Sequence, residues 1–346
     1  MESKESYLKK LIRTPLQKKL PVGFIRLDRN EPPFSAFDII EGILTHDDLK
    51  TLNLYPDIYS LYEKLAEHFH LSNQQLLLTH GSEQGIRYVF DSFLDCDDEV
   101  VYLYPSYAMY DVYAYYNRAI TKKIEFGESR HISLDRVIEA VTNKTRLFVL
   151  ANPNNPTGSV FTFEEIKHIA KHTLNNKTMF LLDEAYFYYY KIDSLALIEE
   201  FSNLIITRSF SKAWGIAGAR IGLIFSDKNN ISLLMRQKPM HEINQLSVLI
   251  CEKILPHEEL IVDTNVRQVL KWKKKFKTAS LSNIRYLETE GNYILLESTT
   301  YEDHKRLFLD EKILPKMDFS TLCIKNCFRF SVGNDEVMER LCAFMK

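Results

Sequence analysis

The sequence predicts an α/β fold in which a large domain, built on a mostly parallel sheet, is followed by a smaller α+β domain. From about Tyr55 to Ser226, short apolar segments alternate with segments of helical spacing, whereas long charged helical stretches prevail beyond about Pro239. Alternation of that kind is typical of a parallel sheet covered by helices on both faces. A chain of 346 residues exceeds what one minimal core requires, which favours two domains.

The large domain is predicted to span residues 46–238. Its helices show apolar residues three and four positions apart, and one of them begins at a capping pair, Thr162 and Glu165. The predicted helices are Ile58–Phe69, Ser82–Phe93 and Phe163–His172. The predicted strands are short apolar runs: Leu76–Thr79, Val100–Leu103, Arg146–Ala151, Thr178–Asp183, Leu204–Thr207 and Ile221–Phe225.

Two further segments complete the predicted organisation. Residues 239–346 form the small C-terminal domain, with a helix at Val266–Thr278 and strands at Tyr293–Glu297 and Phe328–Val332. Residues 1–45 form an N-terminal segment that supplies an arm and part of the small domain. In sheets of this type ligands bind where the carboxyl ends of the strands meet the loops, so the polar motifs at those points are the candidate functional residues.

Composition and charge exclude several classes of protein. The 44 Lys and Arg nearly balance 46 Asp and Glu, so the basic excess expected of a protein that binds nucleic acid or a membrane surface is absent. No apolar stretch has the length of a membrane span, and the N-terminus lacks the apolar core of a secretory signal. We therefore expect a cytoplasmic protein, without a metal, whose cysteines are reduced thiols: Cys96, Cys251, Cys323, Cys327 and Cys342.

A lysine within a dense polar motif is the first candidate for chemistry. Ser209-Phe-Ser-Lys-Ala-Trp-Gly-Ile-Ala-Gly-Ala-Arg-Ile-Gly222 follows an apolar strand. Lys212 could be an ordinary solvated lysine, but its small and apolar neighbours predict desolvation, which lowers the pKa of an amine and makes it a usable nucleophile. Two serines and Arg220 supply hydrogen-bond donors that suit a phosphate group.

Three further motifs lie at predicted strand ends. Leu181–Tyr186 delivers an acid at the end of a strand, as nucleotide enzymes that bind metals also do. Ala151–Gly158 is dense in turn residues and could be no more than a loop. Thr79–Gly85 joins a strand to a helix, whose first N–H groups favour a phosphate but also occur in any capped helix.

In their order along the chain, the four motifs resemble those of the fold-type I aminotransferases that depend on pyridoxal 5'-phosphate (PLP). They resemble most of all those of the histidinol-phosphate aminotransferase branch. The resemblance runs from Leu27-Asp-Arg-Asn-Glu31 to Arg329-Phe-Ser-Val-Gly333. It implies a seven-stranded sheet, a homodimer, bound PLP, and transfer of an amino group from a donor such as glutamate to a small phosphorylated keto substrate. The alternative is decarboxylation of a phosphorylated amino acid, since some decarboxylases also resemble this branch.

The resemblance also implies roles for individual residues around the cofactor. Lys212 corresponds to the Schiff-base lysine, and Asp183 to the acid that pairs with the pyridinium nitrogen and so keeps the ring an electron sink. Tyr186 and Asn155 correspond to the partners of the phenolic oxygen, and Tyr107 to the aromatic residue that stacks on the ring. The positions that correspond to the phosphate site are Gly81, Ser82, Glu83, Ser209, Ser211 and Arg220, together with Tyr55 from the partner subunit.

The substrate side of the site is implied by fewer residues. Arg329 corresponds to the arginine that binds the substrate α-carboxylate, and Asn30 is expected to contact substrate. Lys316 occupies the position where this branch often has a second arginine for the substrate phosphate, and a lysine binds phosphate as a point charge. Leu16 stands where an aromatic residue is common. A cofactor-free regulatory protein is disfavoured, because the positions that contact PLP are all filled.

Overall fold

The computed structural model describes residues 22–343 and 345, and its secondary structure follows the predicted α/β order. Residues 1–21, with Leu16 among them, lie outside the described part. The strands are β1 Ile25–Leu27, β2 Leu76–His80, β3 Glu99–Tyr104, β4 Ile120–Glu125, β5 Thr145–Ala151, β6 Met179–Asp183, β7 Leu204–Ser209, β8 Ile221–Ser226, β9 Ile284–Leu287, β10 Tyr293–Ser298, β11 Ile313–Pro315 and β12 Cys327–Ser331. The α-helices are α1 Ala36–Ile39, α2 His46–Leu49, α3 Tyr59–His68, α4 Ser82–Phe93, α5 Met109–Tyr116, α6 Leu134–Ala140, α7 Phe163–Asn175, α8 Lys228–Met235, α9 Gln245–Ile254, α10 Glu258–Thr278, α11 Tyr301–Asp310 and α12 Asp335–Ala343.

A seven-stranded sheet forms the centre of the molecule, in the order β2-β8-β7-β6-β5-β3-β4. Strand β8 runs antiparallel to both of its neighbours, and the remaining pairings are parallel. The prediction of a mostly parallel seven-stranded sheet is therefore confirmed. The sequence patterns missed β4, because it lies at the sheet edge and most of its side chains are exposed.

Helices cover both faces of this sheet, which explains why its strands read as continuous apolar runs. Within β5, Leu147 and Val149 pack on one side, while Phe148 and Leu150 pack on the other. Helices α4 and α5 cover the first side, and α3 and α7 cover the second. At Gly222, an added Cβ would overlap the main chain at the start of α4, so this glycine allows β8 to lie directly against that helix end.

The C-terminal part contains a separate antiparallel sheet, in the order β12-β10-β9. It is packed against α10, a helix of 21 residues that begins eight residues before the predicted start. The N-terminal strand β1 pairs in parallel with β11, aligning Ile25 with Ile313. The exact division of the chain at residues 45 and 238 stays a prediction. No helix in the described part of the chain is long and apolar enough to cross a membrane.

Candidate active site

The candidate active site is a cavity of about 620 Å³ at the carboxyl ends of β5, β6 and β7. Parallel strands converge their loops at this edge, so motifs far apart in sequence meet there. The predicted site residues that line the cavity are Asn30, Ser82, Glu83, Tyr107, Asn155, Asp183, Tyr186, Ser209, Ser211, Lys212, Arg220 and Arg329. Among residues 22–343 and 345, no group of His, Cys, Asp and Glu side chains is arranged to hold a metal.

Lys212 lies three residues after β7, and its amine is held by main-chain atoms. Its Nζ donates to the carbonyl oxygens of Asn30 at 2.9 Å and Arg29 at 3.3 Å. Desolvation lowers the pKa of Lys212 to about 8, and the positive charge of Arg329 contributes in the same direction. A substantial fraction of the amine is therefore neutral near pH 8, as a nucleophile or proton acceptor requires.

Asp183 ends β6 and is buried, and both of its carboxylate oxygens are hydrogen-bonded. Tyr110 donates its hydroxyl to Oδ2 at 2.6 Å, while the Ala185 N–H and the Thr207 hydroxyl donate to Oδ1 at 3.1 and 3.2 Å. Burial raises the pKa of Asp183, and these hydrogen bonds oppose that rise because they stabilise the anion. These hydrogen bonds thus fix the position of the carboxyl group on the wall of the cavity.

Tyr186 follows β6 and presents its hydroxyl to the cavity. Asn30 donates its Nδ2 to the Tyr186 oxygen at 2.7 Å, and the edge-to-face ring of Tyr293 lies 5.8 Å from the Tyr186 ring. Burial raises the pKa of Tyr186, so the hydroxyl keeps its proton at neutral pH and can donate it in a hydrogen bond.

Arg329 connects the small sheet to the loop after β5. Its Nη1 donates to the Asn155 Oδ1 at 2.5 Å and its Nη2 to the Asp28 carbonyl at 2.8 Å. The guanidinium also lies over the Tyr293 ring, 5.6 Å from its centroid. Its Nε is buried without a partner in the described chain. A buried donor of this kind favours an anionic ligand at the site.

Hydroxyls, a helix start and Arg220 form one end of the cavity. Arg220 donates its Nη1 to the Ser211 Oγ at 3.4 Å, and the Ser211 N–H donates to the Ser209 Oγ at 3.1 Å. Ser82 and Glu83 are the first residues of α4, whose unpaired N–H groups attract an anion. Gly81 has φ +78, and an added Cβ there would clash with the guanidinium of Arg220.

The N-terminal segment crosses the site as a row of main-chain acceptors. The carbonyl oxygens of residues 27–31 all receive hydrogen bonds from side chains. Ser331 donates to the carbonyl of residue 27, and Arg329 donates to that of residue 28. Lys212 donates to the carbonyls of residues 29 and 30, and Asn292 donates to those of residues 30 and 31. Charged and polar groups of the site therefore hold this segment through its backbone.

Three predicted residues lie outside the cavity wall. Gly81 supports the wall from behind, next to Arg220. Tyr55 is 79% exposed and stacks on His241 at 4.2 Å. Lys316 is exposed, and its main chain is bridged to that of Arg329 by two hydrogen bonds of 2.9 Å. The roles predicted for these three residues, like those of the residues in the wall, stay predictions.

Sequence patterns missed several residues that contact the predicted ones. Tyr110, which donates to Asp183, lies three residues after Tyr107. Thr207 is aligned with Asp183 across β6 and β7, so the strand order would identify Thr207 as a neighbour of Asp183. Asn292 and Tyr293 lie at the start of β10, where nothing in the local pattern marks a functional residue.

The comparison with known protein families decides the family. The model of "Aminotransferase class I and II" matches residues 22–345, which is nearly the whole chain. The chain belongs to this family. It is a PLP-dependent aminotransferase. The resemblance predicted from the motifs is thereby confirmed.

Two relatives show where within the family the similarity lies. The chain is 29% identical over 332 residues to the histidinol-phosphate aminotransferase of Flavobacterium psychrophilum, covering 94% of this chain and 90% of the relative. It is 33% identical over 293 residues to histidinol-phosphate aminotransferase 2 of Pasteurella multocida, covering 82% and 78%.

Solved structures share the fold. The histidinol-phosphate aminotransferase of Sinorhizobium meliloti, in complex with PLP, matches 92% of this chain and 89% of its own with a TM-score of 0.84 and 21% identity. The L-threonine-O-3-phosphate decarboxylase of Porphyromonas gingivalis matches 92% and 97%, with a TM-score of 0.76 and 20% identity. These similarities confirm the predicted fold class. The substrate has to be inferred from the residues of the site.

The cavity is chemically suited to PLP. Its donor set offers a phosphate end at Arg220, a buried carboxylate at Asp183 for a protonated ring nitrogen, and a half-buried amine at Lys212. Two buried atoms of cavity residues, the Asn30 Oδ1 and the Arg329 Nε, have no partner within the described chain. Unpaired polar atoms of this kind are costly unless a ligand satisfies them, so they favour an occupied cavity.

Proposed function

We propose that this aminotransferase moves an amino group from an amino acid donor, expected to be glutamate, to a small phosphorylated keto substrate similar to the ketone of histidinol phosphate. The observation that carries the proposal is a second cationic wall in the cavity, which suits the carboxylate of an amino acid donor and is separate from the one that suits the cofactor phosphate. Arg220 lies among serine hydroxyls on one wall, and Arg329 lies beside Asn155 on another. The names of the relatives support the phosphorylated class of substrate.

In this proposal, PLP supplies an electron sink for the electrons released when a bond at the substrate Cα breaks. Lys212 would hold the cofactor covalently, and its Nζ, with a pKa of about 8, is suited to accept the proton from the substrate Cα. Asp183 would accept a hydrogen bond from the protonated ring nitrogen, because its carboxyl group is held on the cavity wall. Tyr186 and Asn155 would hydrogen-bond the phenolic oxygen, and Tyr107 would stack on the ring.

Binding of the phosphate is assigned to the donors at the start of α4 and around Arg220. Ser82 and Glu83 would contribute main-chain N–H groups, while Ser209 and Ser211 would contribute hydroxyls. Together these donors would hold the cofactor at its phosphate end. Gly81 would act indirectly, by leaving room for the guanidinium of Arg220.

Arg329 and Lys316 are assigned to the substrate. Arg329 would bind the α-carboxylate of the donor with its guanidinium, the geometry that suits a planar carboxylate. Lys316 lies directly opposite Arg329 in an antiparallel bridge, and residues paired in this way point to the same face with Cβ atoms about 5 Å apart. Its exposed side chain can therefore reach over the rim of the cavity toward a substrate phosphate.

We further propose a homodimer in which Tyr55 reaches the cofactor phosphate of the partner subunit. Its region presents an unusual number of exposed apolar side chains: Leu52 at 49%, Leu54 at 61%, Tyr59 at 65% and Met240 at 84%. A surface patch of this kind favours contact with another protein. The free cysteines of the described chain support the expected cytoplasmic location.

The substrate proposal is tested by half-reactions. Glutamate should convert bound PLP to its amine form, which is followed by absorbance. Arg329→Ala should damage that step, whereas Lys316→Ala should leave it nearly unchanged and raise the KM of a phosphorylated acceptor roughly tenfold or more, the loss of one charge-assisted contact. Lys312→Ala, which removes an exposed lysine just before β11, is the matched control.

Other outcomes would redirect the proposal. If no amino donor gives the amine form and a phosphorylated amino acid releases carbon dioxide, the site is that of a decarboxylase. Borohydride reduction should fix the cofactor on the peptide that contains Lys212, and a label elsewhere would remove that residue from its role. Mixing the inactive variants Tyr55→Ala and Lys212→Ala should restore part of the activity if two subunits share each site.

A further inference from the structure

Asn30 contacts two residues to which the proposed function gives roles at the cofactor, Lys212 and Tyr186. The residue is 1% exposed and has φ +54, a left-handed conformation that asparagine adopts more readily than most residues. In this conformation its Nδ2 donates to the Tyr186 hydroxyl oxygen at 2.7 Å, while its carbonyl accepts from the Lys212 Nζ at 2.9 Å. Asn292 donates to the same carbonyl at 2.8 Å, so the backbone of Asn30 stays anchored when Lys212 engages the cofactor.

The contact with Asn30 determines where the Tyr186 proton points. A tyrosine hydroxyl has one proton to donate, and its oxygen here already accepts from the Asn30 amide. Within the described chain, that proton has no protein acceptor. Burial raises the pKa of Tyr186, so the hydroxyl stays protonated, and the hydrogen bond from Asn30 opposes this rise without abolishing it. The proton is therefore directed toward the cavity that Tyr186 lines.

We propose that Asn30 is a positioning residue that turns the Tyr186 hydroxyl proton toward the phenolic oxygen of the bound cofactor. The inference rests on the proposed role of Tyr186. It gives Asn30 this role in place of the substrate contact predicted from the sequence. The Asn30 side-chain amide acts as a donor to Tyr186. Because its Nδ2 already donates to the Tyr186 oxygen, the Tyr186 proton is left to be donated to a ligand.

The consequence is a change in the proton affinity of the nitrogen that joins Lys212 to the cofactor. A hydroxyl that donates to the phenolic oxygen disperses the negative charge there, so the nearby nitrogen binds its proton less tightly. Loss of this orientation should raise the pH at which the bound cofactor changes colour. One hydrogen bond corresponds to about one pH unit.

Two substitutions at Asn30 separate the side chain from the backbone. Asn30→Gly removes the amide, while glycine still adopts positive φ and keeps the carbonyl that Lys212 contacts. Asn30→Asp keeps the shape but replaces the donor with an acceptor, toward which Tyr186 would then turn its proton. Both variants should shift the colour titration upward by about one pH unit. The matched control is Asn283→Gly, because Asn283 is an exposed asparagine with φ +56 outside the cavity.

A double-mutant cycle tests whether Asn30 acts through Tyr186. In the Tyr186→Phe background, Asn30→Gly should add no further shift, since there is no hydroxyl proton left to orient. A titration of Asn30→Gly identical to wild type, or a shift that persists in Tyr186→Phe, would overturn the proposal.

A second readout in the cofactor-free protein guards against misfolding. Competitive labelling of the Lys212 amine should give the same apparent pKa of about 8 in Asn30→Gly as in wild type, because the carbonyl contact is retained. A wild-type protein without any colour titration would refute the proposed function itself. A normal wild-type titration with unchanged variants would refute only the role of Asn30.

Discussion

Replacement of Tyr110 by phenylalanine should weaken cofactor binding and destabilise the charged form of Asp183. Tyr110 is fully buried, and its hydroxyl donates to the Asp183 Oδ2 at 2.6 Å. Burial raises the pKa of Tyr110 well above its usual value, so it acts only as a donor at neutral pH. Phenylalanine retains the ring packing and removes this single interaction.

The magnitude follows from the loss of one hydrogen bond to a charged group, about 1.5–3 kcal/mol, and this loss raises the pKa of Asp183 further. Burial already raises that pKa above its usual 3.8. A carboxyl group whose pKa is higher in the folded state than in the unfolded state lowers the free energy of unfolding once the pH exceeds the unfolded-state pKa. The extra destabilisation in Tyr110→Phe should therefore be full above the folded-state pKa of Asp183 in the variant and shrink as the pH falls through that pKa.

The assay compares denaturant unfolding of the cofactor-free protein between pH 4 and pH 8 with the dissociation constant of PLP over the same range. Tyr102→Phe is the matched control. Tyr102 is 1% exposed and donates to the Asp111 carboxylate at 2.5 Å, outside the cavity. That variant should also lose stability, but its affinity for PLP should keep the wild-type dependence on pH.

Two results would refute this reasoning. Equal effects of Tyr110→Phe and Tyr102→Phe on PLP affinity would mean that the first variant acts through general loosening of the core. An unchanged pH dependence in Tyr110→Phe would mean that its hydroxyl has no influence on the charge of Asp183.

Two further predictions concern Lys212 and a buried ion pair. In the cofactor-free protein, the rate of acylation of Lys212 should rise through pH 8, because desolvation lowers its pKa and the amine loses its proton there; a midpoint near pH 10 would contradict the desolvation. Arg208→Ala should lower the free energy of unfolding by about 3–5 kcal/mol, since it leaves Glu184 as an unpaired buried carboxylate, 2.8 Å from the lost partner. Arg267→Ala, which breaks an exposed pair, should cost at most about 0.5 kcal/mol in the same denaturant titration.

The strands of the large sheet could be predicted because helices bury both of their faces. Leu147–Leu150 is apolar throughout, and such runs stand out against helical periodicity. Strand β4 has no such signal, since it lies at the sheet edge and most of its residues are exposed. Strands β1 and β11 contain three residues each and pair across nearly the whole chain, so no local pattern reveals them.

The residues at strand ends and helix starts could also be predicted, because their motifs lie in positions that the fold directs into one cavity. The residues that support them could not. Tyr110 contacts Asp183 across 73 positions and Asn292 contacts Asn30 across 262, and these separations carry no spacing rule. Lys316 is the opposite case: the sequence predicts a contact with substrate, but the residue lies outside the cavity wall and its role stays a prediction.

The main-chain contacts of residues 27–31 affect how the protein tolerates genetic change. A substitution at residue 28 or 29 leaves the carbonyl in place, so the contacts that Arg329 and Lys212 make with the main chain are kept. An insertion or deletion of one residue would shift the whole row of carbonyls by about 3.3 Å relative to Arg329 and Lys212. We expect homologues to conserve the length of this segment. A library that samples only substitutions would overlook how strongly this segment constrains the chemistry.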